Sequence, residues 1–183
     1  VNRIYISSRN KNIAKKLERQ FRQVKILKNN QEIINKSSTI ILGLTPFVGN
    51  KILPKLKFSK KKKIISLIST IKLEDLKKLT KNNNIVRATP LPPIEINKGP
   101  IVICPPNKSA KSLFKHLGLV IEIRNEKLSY KFWSTASIMA AYYELLNVSA
   151  GWLVKKGIKK KLSNNYISEL FLSLSQDAVN KRS

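Results

Sequence analysis

The chain has 183 residues, with 36 Lys and Arg against 10 Asp and Glu, a formal net charge of +26, and 42% hydrophobic residues. Apolar runs recur along its whole length, which excludes long-range disorder and is enough for one globular core, or for a domain with a small helical annex. Cys104 is the single cysteine, so a disulfide scaffold is excluded. One histidine, His116, among scattered carboxylates supports neither a metal centre nor a Ser-His-Asp triad.

Two periodicities alternate over the first hundred or so residues. Residues 3–7 (RIYIS) read as a short strand, with Ser8, Arg9 and Asn10 as turn and helix cap. Ile13, Ala14, Leu17 and Phe21 then share one helical face. Residues 24–27 form a second strand, and Asn30 is placed to cap a short helix carrying Ile33 and Ile34. Residues 39–44 (TIILGL) are an apolar run of strand length, stopped by Thr45-Pro46. Ile52, Leu53 and Leu56 suit a short helix that Pro54 restricts to one regular turn. Residues 64–68 (IISLI) read as a buried strand, followed by a helix with Leu73, Leu76 and Leu79 on its apolar face. Residues 85–88 (IVRA) and 101–104 (IVIC) are further strands. Asn107 caps a helix that Gly118 ends, and residues 119–123 (LVIEI) return as a strand. Strands that are apolar throughout and separated by helices predict a doubly wound parallel sheet covered on both faces, hence an α/β fold.

From about Lys127 no strand signal remains. Residues 134–154 form a long, mostly apolar helix and residues 165–179 another. The predicted plan is therefore an α/β domain over 1–126 and a helical domain over 127–183. The long helix reaches transmembrane length, but Glu144 and Asn147 near its middle argue against a bilayer. Its Ala and Ser residues suit close helix packing instead.

The basic charge consists of 29 Lys and only 7 Arg, and Lys, Ile and Asn supply 69 residues, all encodable by A/T-rich codons. Compositional drift accounts for the lysines, and base-reading Arg forks are scarce, so nucleic acid is not the expected partner. No signal peptide opens the chain, and a lone cysteine suits a reducing compartment, so a cytoplasmic location is expected.

In a doubly wound sheet, ligands bind beyond the carboxyl ends of the strands. Here those ends are residues 7–9, 43–46, 66–70 and Thr89-Pro90. Arg9 either pairs with a 2′-phosphate, as at an NADP site, or is an exposed arginine at a helix start. Gly43 either lets a cofactor approach the backbone or allows tight packing.

The succession RIYISSRN, TIILGLTP, KIISLIST, IVRATPLPP and INKGPI, with a second ungapped block from Thr135 to Gly157, resembles the Δ1-pyrroline-5-carboxylate reductase family. The match starts at that family's second strand, and its most specific piece runs from Arg87 to Pro93. The resemblance implies a Rossmann-type NADP domain followed by an all-helical domain used for dimerisation and substrate binding. It further implies hydride transfer from NADPH (NADH being the other candidate) to the C=N bond of a cyclic imino acid in proline biosynthesis, by a homodimer or higher oligomer. By position, Ser8 and Arg9 would face the adenine ribose phosphate. Gly43, Leu44, Thr45 and Pro46 would pass beside the cofactor, and Thr89 and Pro90 would lie near the nicotinamide. Thr135 and Ser137 would open the first substrate-domain helix. No catalytic side chain is implied, since the cofactor carries the reaction. Another NADP-dependent dehydrogenase of this architecture, or a basic RNA- or ribosome-associated protein, are the alternatives.

The sequence departs from the family at Thr45, where a lysine is usual, at Leu91 and Pro92 (asparagine and threonine), and at Ile138 and Met139 (glycine and proline). The substrate is therefore open. No GxGxxG strand–loop–helix occurs at the start, and the family's closing serine-proline-glycine-glycine-threonine motif is absent, so the chain reads as a piece of a longer protein. In a 3-2-1-4-5-6 sheet the first strand is central. Two sheet segments are then expected to face each other across unpaired backbone groups, and the glycine-loop amides that bind pyrophosphate are lost.

Overall fold

A computed structural model describes residues 3–181. β1 (Ile4–Ser7) runs into α1 (Lys11–Gln20), where the Asn10 side chain accepts from the Ile13 amide at 3.1 Å. β2 (Val24–Leu27) precedes α2 (Asn30–Lys36). The cap of α2 is Asn29, one residue earlier than the sequence suggested. It accepts from Glu32 N at 2.9 Å, while the Glu32 carboxylate accepts from Lys28 N at 3.2 Å. Glu32 lies three residues after Asn29, the spacing of a capping box, and this decides between two adjacent asparagines.

β3 (Thr39–Leu42) stops before Pro46, the first residue of α3 (Pro46–Ile52). Pro54 leaves only a 3-10 turn over Leu53–Lys55. β4 (Lys63–Ser66) is shorter than the apolar run it begins, and Ile68 is buried just past its end. Next come α4 (Leu73–Thr80), β5 (Ile85–Pro90), a 3-10 stretch over Pro92–Ile96, and β6 (Pro100–Cys104). α5 (Lys108–Phe114), capped by Asn107 on Ala110 N at 3.0 Å, leads to β7 (Leu119–Glu122).

The strands form two sheets: β1-β2, and a five-stranded sheet in the order β3-β4-β5-β6-β7. β1 and β2 are parallel, as are β3, β4 and β5. β6 departs from the all-parallel expectation by running antiparallel to β5, and β7 is parallel to β6. The cause is the connection. Residues 91–99 hold only the 3-10 stretch and a left-handed Asn97 (φ 57°). A parallel return needs a crossover of about a dozen residues or more, so the chain comes back as a hairpin.

Alternation along the strands separates two cores. Ile40, Leu42, Ile64 and Ile85 pack with Ile34, Leu53, Ile68 and Leu76 on one face. Ile65, Val86, Ala88, Ile101 and Ile103 pack with Ala110 and Phe114 on the other. Each such Ile or Leu contributes about 1.5–3 kcal/mol by burial.

The described residues divide into two compact units between Lys131 and Phe132. α6 (Glu126–Thr135) runs across that division. The second unit is built of α7 (Ile138–Lys155) and α8 (Lys160–Asn180), so the long helix expected from Ser134 begins four residues later and its successor begins earlier. Gly157 (φ 90°) ends α7 as a Schellman cap, with Ile158 N donating to Leu153 O at 3.1 Å and Gly157 N to Val154 O at 3.0 Å. Tyr142 meets Phe171 of α8 edge-on, with ring centroids 5.8 Å apart. α7 is apolar nearly all round, yet within α7 and α8 only Ala150, Ser163 and Ile167 are buried. Among the described residues, no helix is long and apolar enough to cross a membrane.

Candidate functional site

A cavity of about 870 Å³ lies between β1 and β3. Here the strand order reverses, since β1 leads outward to β2 and β3 leads the other way to β4 and β5. Such a switch point is where doubly wound sheets take their ligands. Ser7 and Arg9 line the cavity from the end of β1, and Gly43 and Leu44 from the end of β3. Ala14 and Leu17 of α1, Ile34 of α2 and Leu53 line it as well.

A Cβ built on Gly43 would meet nothing within 4 Å, so tight packing does not account for the glycine. Its backbone is open at the cavity. Arg9 is exposed and takes part in none of the ion pairs among the described residues, so its guanidinium is available to an anion.

The other sequence candidates fall into three groups. Ser8, half-buried, and Thr45 and Pro46 flank the cavity-lining residues without lining the cavity themselves. Thr45 is the N-cap of α3 but makes no side-chain cap bond. Thr89 and Pro90 end β5, which is separated from β3 by β4, and they pair with Val102 and Ile101. Thr135 and Ser137 belong to the second unit. Their hydroxyls donate to the carbonyls of Phe132 at 2.7 Å and Ser134 at 2.8 Å, as helical Ser and Thr commonly do. The structure thus collects Arg9, Gly43 and Leu44 around one cavity, and the remaining positions are not part of it.

A polar cluster that the sequence reading passed over is centred on Arg87. Its side chain is only 6% exposed, and its Nη1 donates to Glu126 Oε1 at 2.6 Å. Nη2 donates to the Ser69 carbonyl, and the guanidinium lies 4.8 Å from the centre of the Tyr130 ring. Glu126 Oε1 also accepts from Leu73 N at 2.8 Å. One ion pair therefore ties together β5, the loop before α4, and the start of α6. Arg87 Nε is buried without a hydrogen-bond partner. Nearby, burial first and then the Glu126 carboxylate push the Cys104 thiol above its usual range, which keeps it protonated and unreactive. The signal was legible: an arginine inside the apolar strand IVRA must find a carboxylate, and only 10 acids are available.

No family model matches the sequence, and no curated protein matches it. The fold does have close counterparts. The 1-pyrroline-5-carboxylate reductase of Streptococcus pyogenes superposes with a TM-score of 0.81 at 20% identity, covering 96% of this chain and 70% of that one. Plasmodium falciparum pyrroline carboxylate reductase with NADP bound gives 0.74 at 18% identity, over 84% and 62% of the two chains. A reductive aminase from Aspergillus terreus, in complex with NADPH and ethyl levulinate, gives 0.72 at 13% identity, over 95% and 65%. At these identities the likeness is one of fold. The chain has the Rossmann-plus-helical architecture of the pyrroline-5-carboxylate reductases and spans between about three-fifths and seven-tenths of those proteins.

Proposed function

We propose that this chain is the dinucleotide-binding and helical core of an NADPH-dependent reductase of C=N bonds, of the pyrroline-5-carboxylate reductase type. The observation that carries this is the meeting of Arg9 with the open backbone of Gly43 and Leu44 at the switch-point cavity. The likeness to two reductases holding NADP or NADPH supports the choice of cofactor. These residues fit the 2′-phosphate end of the nucleotide: a free guanidinium beside the Ser8 hydroxyl, at the end of a strand, suits a phosphate dianion. They do not supply a pyrophosphate cradle, since no GxGxxG stands in the sequence. Bound NADPH would supply the hydride. The chain's own share would be to orient the nucleotide along residues 43–46 and at Thr89-Pro90, while Thr135 and Ser137 are given to the imino acid by the resemblance alone, their hydroxyls being bonded to carbonyls three residues earlier. The apolar Leu91 and Pro92 leave the particular imine open, and the exposed apolar residues of α7 suit a homodimer.

The test uses 2′,5′-ADP, which carries the 2′-phosphate without the dinucleotide linkage. It should bind measurably by calorimetry, whereas intact NADPH should bind no tighter than micromolar to this chain alone. Arg9→Ala should weaken 2′,5′-ADP tenfold or more, because a charged phosphate hydrogen bond contributes about 1.5–3 kcal/mol. Equal affinity for 2′,5′-ADP and 5′-AMP, unchanged by Arg9→Ala, would refute the assignment.

A further inference from the structure

We infer that the first turn of α6 is a latch: the docking of Glu126 on Arg87 holds closed, as one cooperative unit, the loop that follows β4 and the cover over Cys104. The latch is independent of the reductase proposal.

The loop runs through residues 69–72 at the carboxyl edge of the sheet, just past the point where Leu67 N donates to Leu42 O at 3.0 Å. Ile71 is buried in its middle, but its ends are poorly held by their own residues. Thr70 and Lys72 are exposed, and Lys72, the N-cap of α4, makes no side-chain cap bond. Both ends are fixed from elsewhere. Arg87 Nη2 donates to the Ser69 carbonyl at one end. At the other, Glu126 Oε1 accepts from Leu73 N at 2.8 Å, and so satisfies an orphan amide of α4 from 53 residues away. The same oxygen accepts from Arg87 Nη1 at 2.6 Å. Both ends of the loop therefore hang on one ion pair.

The same turn covers the thiol. Cys104 stands opposite Arg87 in the β5–β6 register, is 2% exposed, and donates to the Arg124 carbonyl at 3.8 Å. The next residue, Asn125, is tied into α6: its carbonyl accepts from Leu128 N at 3.0 Å, and its Oδ1 accepts from Lys127 N at 2.9 Å. Residues 124–126 thus lift from Cys104 only when Glu126 undocks. A half-open state is disfavoured. Without the carboxylate, the buried Arg87 would keep only the Ser69 carbonyl, since its Nε already lacks a partner. Release of α6 at its start therefore reshapes a ligand edge: Thr70 shares a cavity of about 420 Å³ with Pro46, at the end of the stretch 43–46.

The test follows amide exchange and the labelling of Cys104 by an aromatic disulfide in the full chain. In the unaltered chain, the Leu73 amide and the Cys104 thiol should report one opening equilibrium, unchanged up to about 1 M urea, whereas the Ile64 amide should open about tenfold less often and with a urea dependence. Glu126→Gln keeps the shape and removes the charge. It should raise Leu73 exchange and Cys104 labelling by a common factor of about ten or more. Phe114→Leu loosens the core beside Val86 and Ala88, on the face away from Arg87, and should leave both rates unchanged. Labelling that stays fixed while Leu73 exchange rises, a urea dependence equal to that of Ile64, or equal acceleration by Phe114→Leu would each overturn the latch. Should Glu126→Gln fail to fold, the comparison within the unaltered chain decides alone. NADPH takes no part in either readout, so failure of the latch and failure of the reductase proposal are separable.

Discussion

Arg87 shows how a single buried charge organises its surroundings. Removing it leaves Glu126 partly buried, with only the Leu73 amide and no cation, and frees the Ser69 carbonyl. Breaking a buried pair from one side costs about 3–5 kcal/mol, whereas replacing both partners by apolar or neutral groups of similar volume costs much less. Arg87→Ala should therefore lower stability by about that amount in urea denaturation, and Arg87→Met combined with Glu126→Gln should recover part of it. If the double variant is as unstable as the sum of the singles, the two side chains are not coupled. A second residue-scale prediction concerns Gly118. A Cβ there would lie 2.2 Å from the carbonyl oxygen of Gly99, which accepts from Leu119 N at 3.0 Å where β6 and β7 begin to pair. Neither backbone can yield without losing that bond. Gly118→Ala should cost about 1–3 kcal/mol, read as a lower denaturation midpoint, while Gly151→Ala, with open space around its Cβ position, should be neutral or stabilising.

At the scale of elements, α7 is the one whose surroundings are least accounted for. Ile138, Tyr143, Leu145, Val148 and Trp152 are all exposed, Tyr143 by 52%. A helix apolar all round is stable in water only when something covers it, and contiguous apolar patches of this kind mark interaction surfaces. If a second copy provides the cover, the chain should sediment as a dimer or larger. Tyr143→Glu should shift it to monomer or aggregate, because a carboxylate buried without a partner is expensive. A Tyr143→Glu variant that keeps both solubility and oligomer mass would place the interface elsewhere. The opposite case is the end of α2. Lys62 donates from its ammonium to the carbonyls of Asn35 at 2.9 Å and Ser37 at 2.6 Å, so part of the basic run at residues 60–63 serves as a helix C-cap.

For the whole molecule the dominant quantity is the charge of +26. With 36 basic residues against 10 acids, at most ten of the cations can find a carboxylate and the rest repel one another in the folded chain. Raising ionic strength from about 0.01 to 0.15 M shortens the screening length from about 30 to 8 Å. The thermal midpoint should then rise by a few degrees, equally with sodium and choline chloride, as screening requires. A flat or falling midpoint would mean that surface ion pairs outweigh the repulsion. RNA binding of drifted lysines should be weak and non-saturable, whereas a measurable affinity lost steeply with salt would favour the RNA-binding alternative.

The order of elements and the class of the fold were legible in the sequence, because both rest on local periodicity. TIIL, KIIS and IVRA have the length and apolar character of strands, and Ile13, Ala14 and Leu17 have the spacing of one helix face. The caps at Asn10 and Asn107 were legible for the same reason, as they involve residues three apart. The break in the sheet between β1 and β3 followed from the resemblance, which starts at the family's second strand and so leaves out the central one. What tertiary structure decided were matters of distance across the chain: the antiparallel return of β6, the pairing of Arg87 with Glu126 across 39 residues, and the gathering of Arg9 and Gly43 at one cavity. It also decided that α7 is left uncovered within α7 and α8. Periodicity tells which face of an element is apolar. What that face packs against depends on segments far away in sequence, and only the folded chain brings those together.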